Sequence, residues 1–221
     1  MAATKCRLRI TFAKDGVLKY TSHLDLARVW ERSLRRAGMP IAYSQGFNPR
    51  PKMQLAAALP LGHAGEAELL DVWLEQPVGL AEFAQATKPV LPAGLTLTEV
   101  RQVPLGEAAL QTLVVSAEYA VTVEWDEEGK RVEERIERLL ATGEITKERR
   151  GKSYDLRPLV ERLWLEPVPE PEGIALGMVL AARQGATARP EAVIDALGMG
   201  SALAQHRRLR LITAEGPLTH G

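Results

Sequence analysis

Cysteine is almost absent from this chain: Cys6 is the only one in 221 residues. That excludes an intramolecular disulfide, a four-cysteine iron–sulfur cluster and any CxxC zinc or redox site. A lone thiol fits a reducing compartment, and MAATKCRLRI at the start lacks the apolar stretch of a signal peptide. No apolar run approaches the roughly 20 residues that a membrane helix needs. The expected location is therefore cytoplasmic, with no membrane partner. Phosphate-loop and nucleophile-elbow signatures are missing as well. Gly198-Met199-Gly200-Ser201 lacks the Walker lysine, and neither GxGxxG nor GxSxG occurs. His63, His206 and His220 show no ligand spacing with His23, so neither a metal nor another cofactor is expected.

Net charge is zero, but its distribution is uneven. Residues 1–60 carry 11 Lys+Arg against 3 Asp+Glu, whereas residues 61–221 carry 17 against 25. A basic N-terminal part can attract a phosphate backbone even in a neutral molecule. Hydrophobic residues at 46% and charged residues at 25% are those of a folded globular chain.

Local pattern predicts two similar halves. RLRITFAK (7–14) reads as a strand, and the Asp15-Gly16 turn follows it. Ser22 and Asp25 form an S-x-x-D capping box for a helix over 22–37 that stops at Gly38. Strands are predicted over 53–59, 67–76 and 95–103, and a second helix over 80–91. The second half predicts a strand at 116–125, a helix at 129–141, a segment at 154–168 ambiguous between strand and helix, a strand at 173–183, a helix at 189–199 and a strand at 207–213. The expected fold class is α+β: two tandem ferredoxin-like (βαββαβ) units, each an antiparallel sheet with helices on one face. The expected domains are 1–103 and 114–214, with a linker at 104–113 and a tail at 215–221.

Candidate functional residues concentrate in 20–60. Arg28, Arg32, Arg35 and Arg36 fall at offsets of 4, 7 and 8, one stripe of a helix opposite Leu26, Trp30 and Leu34. Guanidinium groups pair bidentately with phosphate. Arg50 and Lys52 follow in a polar turn, Ser44-Gln45-Gly46-Phe47-Asn48-Pro49, stiffened by proline. Tyr43, Phe47 and Asn48 beside these cations are the ring-and-cation mixture that suits RNA bases. The competing explanation is a solvated helix face, with Glu31 paired to Arg35, and a Phe47 packed into the core. His23 next to Asp25 has the composition of a base and its partner, although a capping carboxylate is not free for catalysis. A second basic run, KERRGKSYDLRP (147–158), reads as a hairpin tip able to extend an RNA groove or simply to carry exposed charge.

The run KYTSHLDLARVWERSLRRAGMPIAYSQGFNPRPKMQLAAALPLG (19–62) resembles the signature of the radical SAM-linked protein family, a bacterial domain of unknown function encoded beside or fused to a radical SAM protein with a cobalamin-type N-terminal region. YDLRPLV (154–160) and ATARPEAVIDALGM (186–199) resemble that family's second half. The family has a histidine before the second proline of GFNPxPK; Arg50 stands there in this chain, which leaves His23 alone. The resemblance implies a radical SAM partner, since one cysteine cannot hold the cluster that chemistry requires. Family genes near ribosomal-protein and ribonuclease genes imply an RNA-related substrate. The expected function is a non-catalytic RNA-recognition or substrate-presenting accessory subunit of a radical SAM enzyme. The alternatives are a metal-independent ribonuclease or RNA-modifying enzyme with His23 as general base and Asp25 beside it, and a protein-binding adaptor.

Overall fold

The computed structural model describes residues 6–126, 129–167, 173–214 and 216–217. His220, Val168 and most of the expected tail lie outside the described residues. The chain is mixed α+β, mostly antiparallel, with five α-helices among the described residues. It divides into two compact units, the first ending at Val114 and the second running from Val115 to Pro217.

In the first unit, β1 (Cys6–Lys14) lies between β3 (Ala64–Leu74) and β4 (Leu95–Val103), antiparallel to both. A short β2 (Met53–Leu55) pairs with the other edge of β3. Helix α1 (His23–Arg36) connects β1 to β2, and α2 (Leu80–Thr87) connects β3 to β4. Strand alternation sends Leu8, Ile10 and Phe12 of β1, with Leu70, Val72 and Leu74 of β3, to one face. Leu26, Trp30 and Leu34 recur every fourth residue on α1 and meet that face together with Phe83 of α2. The Phe12 and Trp30 rings pack edge to face at 5.0 Å. Each large apolar side chain buried here contributes about 1.5–3 kcal/mol.

Two expected elements are shorter than their apolar runs. Strand 53–59 pairs as strand only through Leu55, after which Ala56 N–H still donates to the Leu69 carbonyl. Alanine has little β preference, and Pro60 has no donor. Helix 80–91 ends at Thr87 and tightens into a 3-10 turn at Lys88–Val90, because Pro89 cannot continue the ladder.

A single helical turn, α3 (Leu110–Leu113), leads into β5 (Val114–Val123), which in the second unit lies between β9 (Ile174–Arg183) and β11 (Ala204–Thr213). Strand β8 (Val160–Glu166) pairs antiparallel with β9, and β10 (Ala186–Thr187) folds back on the end of β9. Helix α4 (Gly129–Ala141) buries Val132, Ile136 and Leu139, and α5 (Pro190–Ala196) buries Val193 and Ile194. A separate hairpin, β6 (Thr146–Arg149) with β7 (Lys152–Asp155), stands between α4 and β8. The ambiguous segment 154–168 resolves into the end of β7, a 3-10 turn at Arg157–Leu159 containing Pro158, and β8. Two residues, Gly216–Pro217 (β12), pair with β11. Among the described residues, no helix is long and apolar enough to cross a membrane.

Candidate nucleic-acid interface

The entrance of α1 is fixed by Ser22, whose Oγ accepts the Asp25 backbone N–H at 3.2 Å. Asp25 does not complete the box through backbone. Its Oδ2 accepts from the Ser22 hydroxyl at 2.7 Å and its Oδ1 accepts from Arg28 at 2.9 Å. The Ser22 hydrogen bond, followed by that of Arg28, lowers the Asp25 pKa. A carboxyl depressed by folding contributes its stability above its unfolded pKa. That contribution is lost as pH falls through the lower folded value, so it is fully present at neutral pH. Both Asp25 oxygens are thus committed to the cap and to Arg28, while His23 is half-buried. Replacing Ser22 by Ala is expected to cost about 1 kcal/mol in urea unfolding. An unchanged midpoint would show that the cap is made by solvent.

All four arginines of the stripe are exposed. Arg28 pairs with Asp25, and Arg35 reaches Glu31 only at 3.7 Å. Both pairs are local and solvated, worth a fraction of a kcal/mol each. Arg32 and Arg36 have no ion pair among the described residues, and neither do Arg50 and Lys52. Beyond the last helical residue, Arg36, Gly38 at φ 72° makes the left-handed turn that glycine permits.

Beyond it the chain runs along β3. Ile41 bridges to Leu74 and Ala42 N–H donates to the Trp73 carbonyl. Trp73 N–H donates in turn to Lys52, and Lys52 N–H to Ala42. Residues 43–51 are therefore an excursion from a single broken edge strand. Its neck is the Tyr43–Pro51 bridge, the Ser44 N–H to Arg50 carbonyl bond at 2.8 Å and the Arg50 N–H to Ser44 Oγ bond at 2.9 Å. Such a neck presents the tip as a small closed loop. Gln45, Gly46, Phe47, Asn48, Pro49 and Arg50 are all exposed, with the Phe47 ring entirely in solvent. Gly46 at φ 132° makes the bend, a conformation that other residues rarely adopt. Tyr43 instead packs on the core, and the Ser44 hydroxyl is used in the neck. No described hydrogen bond or ion pair joins the arginine stripe to this loop.

A second charged group, not among the residues singled out from sequence, lies in the sheet of the first unit. Arg7 and Arg9, on the face of β1 opposite Leu8 and Ile10, are buried around Asp71 of β3. Arg7 donates to Asp71 Oδ2 through Nε and Nη2 at 2.9 and 2.5 Å. Arg9 donates to Oδ1 and Oδ2 at 2.8 and 2.9 Å and pairs with Glu107 at 2.9 Å. Arg7 also donates to the Glu107 and Ala108 carbonyls and lies over the Trp73 ring at 4.7 Å. Residues of 104–113 thus help to enclose it. Burial opposes the Arg9 charge, and Asp71 with Glu107 outweighs it, raising the pKa. The signal lay in the alternation R-L-R of a strand with a core-facing leucine, which places both arginines on one side. Arg7, Arg9 and Lys14 belong to the basic N-terminal count but are buried.

Comparison with known proteins identifies a fold likeness and a family. None of the curated proteins matches this chain. A chain of a Cbf5-Nop10-Gar1 complex is similar in structure, with a TM-score of 0.52 and 12% identity over 92% of this chain and 48% of that one. A chain of the archaeal box H/ACA sRNP Nop10-Cbf5 complex gives a TM-score of 0.50 and 14% identity over 96% of this chain and 49% of that one. At these identities the likeness is one of fold, and this chain spans about half the length of either. Residues 7–190 match the family described as "Uncharacterized protein conserved in bacteria" (DUF2344), so the chain belongs to that bacterial family.

Proposed function

We propose that this protein is a cytoplasmic, non-catalytic RNA-recognition subunit that presents a substrate to a radical SAM enzyme. The observation that carries the RNA part is the loop at 44–50. Its neck is hydrogen-bonded, its phenylalanine faces solvent, and Asn48 and Arg50 are exposed on the same loop. An exposed aromatic on an ordered loop offers a platform for an unstacked base. Arg32, Arg36, Arg50 and Lys52 supply unpaired charge for the backbone. The fold likeness to chains of an sRNP complex is compatible with this reading. The radical SAM partner rests on the resemblance of 19–62 alone. The strand orders β2-β3-β1-β4 and β8-β9-β5-β11 support grouping the two units as tandem ferredoxin-like folds, the second carrying an inserted hairpin. Catalysis by His23 gains no support, because its neighbouring carboxylate is engaged by Ser22 and Arg28.

The test is fluorescence anisotropy with single-stranded RNA at low salt. Phe47→Ala is expected to weaken binding by about 1–3 kcal/mol while leaving the thermal midpoint unchanged, since the ring packs against nothing. Absence of RNA binding by the wild type, or equal binding by Phe47→Ala, would remove the proposal.

A further inference from the structure

The second unit holds a concave site of its own. A cavity of about 450 Å³ is lined by Arg149 and Lys152, by Tyr154 and Leu159, and by Ala186 and Thr187 of β10. Arg149 and Lys152 face each other in register next to the turn of the β6–β7 hairpin. That turn places Arg150 at φ 54° and Gly151 at φ 72°. A hairpin turn of this hand favours asparagine or glycine at its first position, so an arginine there is held against local preference. Burial first, and then the charges of Arg189 and Arg150, lower the Arg149 pKa. Among the described residues, none of Arg149, Arg150, Lys152 and Arg189 has an ion pair. Two carboxylates are nearby. Glu191 acts favourably on the Arg149 charge, and Asp155 lines the cavity. The Asp155 Oδ1 accepts the backbone N–H groups of Ile145 and Arg157 at 2.8 and 3.0 Å, which binds that charge into the chain.

Two cations, Arg149 and Lys152, line the cavity, and Arg189 and Arg150 add like charge near Arg149, a balance that an anion would relieve. Half-buried Tyr154 and Leu159 add a ring and an apolar wall beside that charge. The volume falls in the range of small-molecule sites, guanidinium groups pair bidentately with phosphate, and a tyrosine ring stacks on a base. We infer that this cavity binds a nucleoside monophosphate, either free or as the end of an RNA strand, with Arg149 and Lys152 on the phosphate and Tyr154 against the base. All its lining residues belong to the second unit.

Calorimetric titration of the full chain with each of the four 5′-ribonucleoside monophosphates, with inorganic phosphate and with a 5′-phosphorylated RNA tetranucleotide tests this. Saturable binding of a monophosphate, tighter than that of inorganic phosphate, is expected. Arg149→Glu is expected to weaken it at least about tenfold, roughly the loss of one charge-assisted contact, without lowering the thermal midpoint, because the change relieves like-charge crowding. Should that variant fail to fold, Lys152→Gln at an exposed position serves the same purpose. Tyr154→Ala is expected to weaken the monophosphate and to leave inorganic phosphate unchanged. Tighter binding of the tetranucleotide identifies a strand end as the source; equal binding identifies the free nucleotide. Arg32→Glu with Arg36→Glu should leave these titrations unaltered, which separates this site from the RNA face of the first unit. A monophosphate bound no better than inorganic phosphate, or equally well by Arg149→Glu, overturns the inference.

Discussion

Asp71→Ala is expected to cost roughly 3–5 kcal/mol, enough to leave the first unit largely unfolded at moderate urea. Both carboxylate oxygens of Asp71 are engaged by Arg7 and Arg9, and all three side chains are fully buried. Removing the shared anion leaves two guanidinium groups where water does not reach. Arg7 would keep two carbonyl acceptors and the Trp73 ring, and Arg9 would keep only Glu107. The penalty is mainly that of uncompensated buried charge rather than of lost attraction. Asp71→Asn retains one acceptor oxygen and the shape of the side chain, so its loss should be smaller. Urea unfolding followed by tryptophan fluorescence reads the difference. A variant within about 1 kcal/mol of wild type, the range of ordinary surface changes, would show that these arginines reach solvent.

The double charge reversal Arg32→Glu with Arg36→Glu is expected to reduce RNA affinity by about two orders of magnitude near 0.1 M salt. Each phosphate contact on a single strand contributes about 0.7 to the slope of log K against log salt. Removing two should therefore flatten that slope by about 1.4, and the introduced carboxylates add repulsion. Neither arginine packs against the core or holds an ion pair, so the unfolding midpoint should move by less than about 1 kcal/mol. Neutralising Arg28 or Arg35, which already have Asp25 and Glu31 beside them, should matter less. Undiminished RNA binding by the double variant, with an unaltered salt slope, would reduce the stripe to a solvated helix face.

Much of the local structure was legible because its causes are local. The helix at 129–141 and the strand at 95–103 match their periodic segments end to end. The α1 boundaries follow from Ser22 and Gly38. The second proposed site was half legible: the basic run at 147–158 reads as a hairpin tip, but its meeting with Ala186 and Thr187 of β10 is long-range. Tyr43 and Phe47 look alike in sequence, four residues apart beside the same cations. The neck between Ser44 and Arg50 separates them, leaving Tyr43 on the core and lifting Phe47 into solvent.

Spacing, caps and prolines by themselves determined most of the helices and strands and which of their faces are apolar, since these depend on neighbours within a few residues. Only the tertiary structure decided which charges remain available. Arg7 and Arg9 meet Asp71 across 64 and 62 residues of chain, through the β1–β3 register that sets Arg9 directly opposite Asp71. Arg32 and Arg36 are exposed on α1 and, among the described residues, hold no ion pair. One-dimensional charge counting treats these four arginines alike; burial and register separate two that hold the sheet together from two that face solvent.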